Sequence, residues 1–130
     1  MKNIEVVAAI IQKDDKILAT QRGYGEFENM WEFPGGKIEL GETKETALKR
    51  EIKEELNADV KIDQFITTTE YTYPNFHLVM HCYFCSLENG EFNLMEHNEA
   101  KWLSLDNLLS VDWLPADIDV INKIIEIKNS

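Results

Sequence analysis

The sequence has few basic residues, only two cysteines and no long hydrophobic run. Of its 130 residues, 13 are Lys or Arg and 24 are Asp or Glu, so the net charge at pH 7 is −11. A surface with this charge repels both nucleic-acid backbones and anionic membranes, which argues against either as a partner. No apolar run approaches the roughly 20 residues of a membrane span, and the first residues lack a signal-peptide pattern. We therefore expect a cytoplasmic protein.

The two cysteines, Cys82 and Cys85, form a Cys-x-x-Cys pattern that is typical of redox or metal sites. However, the surrounding residues 76–87 have the pattern of a β-strand, and residues three apart on a strand point to opposite faces. We therefore expect two buried thiols that form neither a disulfide nor a metal site.

The apolar pattern and the turn signals predict an α/β fold with a mixed sheet between two helices. No repeat, linker or low-complexity segment interrupts the chain, so we expect one domain over residues 1–130. In the long strand that follows the first helix, Ile62, Phe65 and Ile66 are expected to face the core. The predicted strands cover residues 4–12, 17–22, 60–73, 76–87 and 100–103, and the predicted helices cover 43–56 and 115–128, with a helical turn at 105–109.

The most informative stretch runs from Gly35 to Ala58, where a glycine-containing loop leads into a helix rich in glutamate. Glu51, Glu54 and Glu55 are three and four residues apart, so they share one helical face. Like charges at this spacing destabilise a helix, so such a face either meets open water or holds cations. Magnesium is commonly bound by a few carboxylates together with substrate phosphates. The spacing therefore indicates a candidate site for divalent cations.

This stretch resembles the Nudix box, whose pattern is Gly, five residues, Glu, seven residues, then Arg-Glu-apolar-any-Glu-Glu-any-Gly-apolar. The chain departs from the pattern at its end, where Asn57 replaces the glycine and Ala58 is a small apolar residue. Asn is the next best residue for the left-handed conformation that ends many helices, so we expect Asn57 to cap the helix. The matching positions are Gly36, Glu42, Arg50, Glu51, Ile52, Glu54 and Glu55.

The resemblance implies an α/β/α sandwich and metal-dependent cleavage of a nucleoside diphosphate linked to another group, with Mg²⁺ or Mn²⁺ as the cofactor. Arg50 is implied to orient the glutamates through charge-assisted hydrogen bonds. Glu96, six residues before Trp102, falls where the MutT-type branch has a metal ligand or catalytic base, and Glu99 is a rival for that role. His97 is expected to be a loop histidine, because Mg²⁺ prefers oxygen ligands. The implied catalytic residues are Glu51, Glu54, Glu96 and Arg50, and the implied metal ligands are the Gly35 carbonyl, Glu51, Glu54, Glu55 and Glu96.

Three residues outside the box are implied to bind the substrate: Arg22 at a phosphate, Phe33 in the base pocket and Asp117 at the base. MutT-type enzymes that act on 8-oxo-dGTP carry Asn at the position of Asp117. An ionised Asp only accepts hydrogen bonds, so it suits the amino group of cytosine and disfavours O6 of guanine. This difference resembles the bacterial CTP pyrophosphohydrolase branch. Alternatively, Arg22 is a surface residue at a strand end, and Asp117 is an acidic residue favoured by the helix dipole.

We therefore expect an enzyme that converts CTP, dCTP or an oxidised nucleotide to the nucleoside monophosphate and pyrophosphate. Its partner is expected to be this small molecule, and a monomer or a homodimer is equally compatible with the sequence. The alternatives are an 8-oxo-dGTP diphosphatase, a diphosphatase for ADP-ribose or a similar conjugate, and a Nudix-fold sensor that binds a nucleotide without turnover. The three box glutamates argue against the sensor, because such domains generally lose them.

Overall fold

The computed structural model describes residues 1–130 and contains seven β-strands, two α-helices and a short 3₁₀ helix. Every predicted element is present, with boundaries within two residues of those expected, but β3 and β4 were not predicted. The strands are β1 (Lys2–Lys13), β2 (Lys16–Gln21), β3 (Trp31–Glu32), β4 (Gly35–Lys37), β5 (Val60–Thr72), β6 (Phe76–Leu87) and β7 (Glu99–Ser104). The helices are α1 (Lys44–Leu56) and α2 (Pro115–Lys128), and the 3₁₀ helix covers Leu105–Ser110.

The strands form one mixed sheet with the order β3-β2-β1-β6-β5, to which β4 is added by pairing with β1 and β7 by pairing with β2. The pair of β1 and β6 is parallel, and the other pairs are antiparallel. Two separate hydrophobic clusters place α1 and α2 on opposite faces of the sheet, which confirms the predicted α/β/α sandwich. The α1 side includes Val7, Ala9, Ile11, Leu48, Ile52 and Leu56, and the α2 side includes Ala8, Ile10, Ile121 and Ile124.

Strand β1 is central, and its residues from Val7 to Ile11 are all buried. The odd-numbered side chains pack under α1, and the even-numbered ones pack under α2. A strand covered on both faces needs apolar residues at every position, which explains the continuous apolar run in this part of the sequence.

Both ends of α1 are fixed by the residues that the sequence indicated. Thr43 is the N-cap, and its hydroxyl accepts a hydrogen bond from the backbone N–H of Thr46 at 3.1 Å. Asn57 adopts the left-handed conformation, with φ of 48° and ψ of 43°, and its N–H donates to the carbonyl of Lys53. The caps limit fraying and hold the glutamate-bearing face of the helix in place. Neither α1 nor α2 combines the length and the apolar character needed to cross a membrane.

The prediction that Phe65 faces the core is wrong. Its neighbour Ile66 is buried, whereas Phe65 is 51% exposed and rests against the ring of Tyr83 with 5.4 Å between ring centroids. Strand β5 has register shifts between Ile62 and Gln64 and again after Phe65. Such bulges interrupt the alternation of buried and exposed residues, and sequence periodicity does not reveal them.

The cysteines are both fully buried and free, with Cys82 in the cluster under α2 and Cys85 in the cluster under α1. This confirms that their side chains lie on opposite faces of β6. Burial raises the pKa of Cys85 to about 12 and also raises the pKa of Cys82. Thiols of this kind have little thiolate at neutral pH and are chemically inert.

Candidate active site

The carboxylates expected to bind metal line a single cleft of about 570 Å³ between α1, β4 and the loop before β7. Glu96 is among its lining residues and the rival Glu99 is not, because Glu99 is already part of β7 and pairs with Gln21 of β2. The fold therefore brings together all five positions of the implied ligand set. These are Gly35, Glu51, Glu54, Glu55 and Glu96.

The two glycines of β4 allow the strand to fit between β1 and α1. A Cβ atom on Gly35 would overlap the carbonyl oxygen of Val7, and a Cβ atom on Gly36 would overlap the carboxylate of Glu51. Strand β4 pairs with β1 at these positions, so it has no freedom to move away. The backbone contact requires glycine at position 35, whereas a side chain at position 36 would displace the carboxylate of Glu51. The β4 backbone thus becomes part of the cleft wall.

Arg50 connects the loop that precedes α1 to the glutamates of the helix. Its Nε and Nη2 atoms donate to the two carboxylate oxygens of Glu42, at 2.6 and 2.9 Å. Its Nη1 atom donates to Glu51 Oε1 at 2.8 Å and to Glu54 Oε2 at 3.3 Å, and Nη2 also donates to the Lys37 carbonyl at 2.9 Å. The hydrogen bond from Arg50 lowers the pKa of Glu42. The planar, permanently charged guanidinium of Arg50 thus holds one oxygen of Glu51 and one of Glu54.

Glu55 is the most deeply buried carboxylate of the cleft, with 8% of its side chain exposed. Its Oε2 atom is buried without a hydrogen-bond partner. Burial raises the pKa of Glu55 to about 10, and the nearby charges of Glu32, Glu51 and Glu96 add to the effect. A carboxylate in such a place stays ionised only when a cation compensates it.

A divalent cation fits this cleft by the chemistry of its donors. The implied ligands are all oxygen atoms, which suit Mg²⁺ or Mn²⁺. No three acidic, His or Cys side chains converge closely enough to form a complete ligand set by themselves. Arg50 holds one oxygen of Glu51 and one of Glu54, which leaves the other oxygen of each carboxylate for further contacts.

A smaller pocket of about 140 Å³ adjoins the cleft and has a mostly apolar lining. Arg22, Glu32 and the glycines of β4 line both spaces. Phe33 lines the pocket, and its buried ring packs on Trp113 with 4.6 Å between ring centroids. An apolar pocket with a few polar groups suits a flat ring, and Phe33 is among its lining residues.

Asp117 lines the same pocket from the first turn of α2 and is only 4% exposed. Burial raises the pKa of Asp117 well above its ordinary value, the charge of Glu32 raises it further, and Arg22 opposes this. Burial therefore favours the neutral form of Asp117 over the ionised form expected from the sequence. The neutral carboxyl can both donate and accept a hydrogen bond.

Two residues of the site, Glu32 and His97, were not assigned to it from the sequence. Arg22 donates from Nε and Nη2 to Glu32 Oε1 at 3.2 and 3.0 Å, and His97 Nε2 lies 3.1 Å from Glu32 Oε2. Although burial opposes it, the hydrogen bonds from His97 and Arg22 lower the pKa of Glu32. Arg22 is therefore not a free strand-end residue, and His97, though it lies in a loop, has a buried side chain inside the cleft.

Only the fold brings positions 22, 32 and 97 together, through the pairing of β2 with both β3 and β7. The one available signal was Glu32 itself, a charged residue between the apolar residues Trp31 and Phe33.

A carboxylate-lined cleft that adjoins a small apolar pocket suits a divalent cation with bound phosphates beside a flat ring. A family model, the NUDIX domain, matches residues 1–124. The chain therefore belongs to the Nudix family, and it is a Nudix hydrolase of the MutT type.

Its relatives have related activities. The chain is 34% identical over 122 residues to the CTP pyrophosphohydrolase of Escherichia coli K12, covering 93% of this chain and 90% of that protein. It is 33% identical over 126 residues to the 8-oxo-dGTP diphosphatase of the same strain, covering 95% and 98%. The solution structure of a MutT protein from methicillin-resistant Staphylococcus aureus 252 matches with a TM-score of 0.77 at 42% identity, covering 98% of this chain and 99% of that one.

Proposed function

We propose that this chain hydrolyses nucleoside triphosphates to the monophosphate and pyrophosphate, with CTP or dCTP as the preferred substrate and Mg²⁺ or Mn²⁺ as the cofactor. The observation that carries the proposal is the buried, unpartnered Oε2 of Glu55 in a cleft that adjoins an apolar pocket. The carboxylates suit a cation with its bound phosphates, and the pocket suits a base. The two adjacent spaces would therefore hold the two parts of a nucleotide.

The residues have distinct parts in the proposed reaction. The proposed cation ligands are the Gly35 carbonyl with Glu51, Glu54, Glu55 and Glu96. The cation, when bound, would neutralise the phosphates and acidify a water molecule. Arg50 orients two of the box glutamates, and Arg22 provides positive charge where the two spaces meet. Glu54 and Glu96 reach solvent and are the candidates for accepting a proton from the attacking water.

The preference for cytosine rests on the pocket and on Asp117. The pocket of about 140 Å³ is small beside the roughly 300–1,000 Å³ of pockets for drug-sized ligands, which favours a base with one ring. Burial favours the protonated form of Asp117, and in that form the carboxyl offers a donor next to an acceptor. Cytosine presents the complementary pair of N3 and N4–H.

Hydrolysis of 8-oxo-dGTP is the second candidate, because the donor and acceptor of a protonated Asp117 also suit its base. A protonated carboxyl can also donate to O6 of an oxidised guanine and accept from its N1–H. The relatives do not decide between the two, because the identities to the CTP pyrophosphohydrolase and the 8-oxo-dGTP diphosphatase are nearly equal.

The test is a panel of CTP, dCTP, dGTP, 8-oxo-dGTP and ADP-ribose with Mg²⁺, in which pyrophosphate and monophosphate are measured separately. We expect pyrophosphate release to be fastest from CTP or dCTP. ADP-ribose contains no triphosphate, so its cleavage without activity on the others would identify the conjugate diphosphatase. Binding without turnover of any compound would identify a sensor, and either result would overturn the proposal.

A further inference from the structure

His97 lies between two carboxylates in the wall of the acidic cleft. Its Nε2 atom is 3.1 Å from Glu32 Oε2 and 3.5 Å from Glu55 Oε1. The imidazole is 4% exposed, and its Nδ1 atom is buried without a partner. An unpartnered buried polar atom destabilises the fold. Packing alone would therefore favour an apolar residue at this position, and the advantage of a histidine has to come from Nε2.

The other two histidines show what a structural histidine looks like in this chain. Both ring nitrogens of His77 and of His81 have a hydrogen-bond partner, a threonine on one side and a single glutamate on the other. His97 differs in two respects, because it leaves Nδ1 unpartnered and directs Nε2 towards two carboxylates.

We propose that His97 is a positioning residue for the cation site and acts through Glu55. A carboxylate oxygen only accepts, so the tautomer that completes the contact with Glu32 has its proton on Nε2, and the same N–H also faces Oε1 of Glu55. Contact with Oε1 leaves Oε2 as the oxygen of Glu55 that is free for a cation. This inference rests on the proposed function, because it takes Glu55 as a cation ligand.

The donor, His97, is held in place from two directions. On one side, Glu32 is anchored by Arg22, which donates to its other oxygen at 3.0 and 3.2 Å. On the other side, the next residue, Asn98, donates its backbone N–H to the Gln21 carbonyl at 3.0 Å. The chain from Arg22 through Glu32 and His97 to Glu55 thus connects β2 with the cation ligand on α1. Residues that orient metal ligands in this way commonly affect metal affinity as strongly as activity.

The experiment measures Mn²⁺ binding without substrate, from the electron paramagnetic resonance signal of free Mn²⁺. We compare the wild type with His97→Leu, which removes the donor, and with His97→Gln, whose amide can donate from near the Nε2 position. The matched control is His77→Leu, which removes a histidine–glutamate pair that lies outside both cavities. Thermal unfolding in EDTA shows whether each variant is folded.

We expect His97→Leu to weaken Mn²⁺ affinity roughly 10- to 100-fold, His97→Gln to restore most of it, and His77→Leu to match the wild type. Wild-type affinity in His97→Leu would overturn the inference, as would equal losses in the Leu and Gln variants. If His97→Leu does not fold, the shorter amide of His97→Asn replaces it, and equal affinities of the Asn and Gln variants would be the refuting result.

The outcome also separates this inference from the proposed function. A wild-type protein that binds Mn²⁺ but releases no pyrophosphate would overturn the proposed function and leave the binding comparison intact. A wild-type protein that does not bind Mn²⁺ would overturn both.

Discussion

Replacing Glu55 with Gln should make the metal-free protein more stable while it removes activity. The pKa of Glu55 is raised from 4.5 to about 10, chiefly by burial. Below pH 4.5 the group is protonated in both the folded and the unfolded chain, so it contributes no difference. As the pH rises above 4.5, the unfolded chain releases the proton and the folded protein keeps it, so the free energy of unfolding falls. A glutamine does not titrate and avoids this loss.

The size of the effect at pH 7 follows from the interval between this pH and the pKa of Glu55 in the unfolded chain. The pH of 7 is about 2.5 units above the unfolded pKa of 4.5, and each unit is worth about 1.4 kcal/mol. The free energy of unfolding is therefore lowered by on the order of 3 kcal/mol. For a chain of this length that corresponds to a shift of the melting temperature of roughly 10 °C. The gain from Glu55→Gln should be near zero at pH 4.5 and should grow steadily up to pH 7.

The assay is urea unfolding of the wild type and of Glu55→Gln at pH 5, 6 and 7 in EDTA. Glu54→Gln is the matched control, because Glu54 lies on the same helical face but has 57% of its side chain exposed, so we expect little change. Added Mn²⁺ should stabilise the wild type more than Glu55→Gln, because only a carboxylate binds the cation tightly. If Glu55→Gln is no more stable than the wild type at pH 7, or if the difference does not depend on pH, Glu55 is ionised in the folded protein and the reasoning fails.

Three further predictions concern the base pocket, the glycines and the cysteines. Asp117→Asn keeps a donor and an acceptor, so its kcat/KM for dCTP should stay within about tenfold of the wild-type value. Asp117→Leu should lower kcat/KM about 10- to 100-fold. A much larger loss in the Asn variant would show that Asp117 acts as an anion. Gly36→Ala should lower kcat, because its Cβ displaces the Glu51 carboxylate, and wild-type kcat in the folded variant would contradict the close approach. Cys82 and Cys85 should give the fully reduced mass under non-reducing conditions and no bound zinc, whereas a mass two units low or stoichiometric zinc would contradict their separation.

Local signals in the sequence were sufficient to predict α1, its two caps and the shared face of its glutamates. The caps at Thr43 and Asn57, and the spacing of the glutamates, depend on residues within a few positions of one another. Strands β3 and β4 have only two and three residues, which is too short to show a period. Glu32 and His97 are 65 positions apart, and only the pairing of β2 with β3 and β7 makes them neighbours.

The state of a buried group was equally invisible in the sequence. Asp117 occupies an ordinary position for an acidic residue, the first turn of a helix, where the helix dipole favours a charge. The pocket around it removes water, and this desolvation raises its pKa. The shift depends on how deeply the side chain is buried, and the sequence does not contain that depth.

The division of the site into two adjoining spaces has a consequence for how such an enzyme can change its substrate. Leu114, Ala116 and Asp117 line only the small pocket, and Glu51, Glu54 and Glu55 line only the cleft. The start of α2 can therefore be exchanged with that of a relative while the residues proposed to hold the cation stay untouched. Mutations that redirect the choice of base need not weaken the chemistry, so new specificities can arise by single steps that each leave a working enzyme.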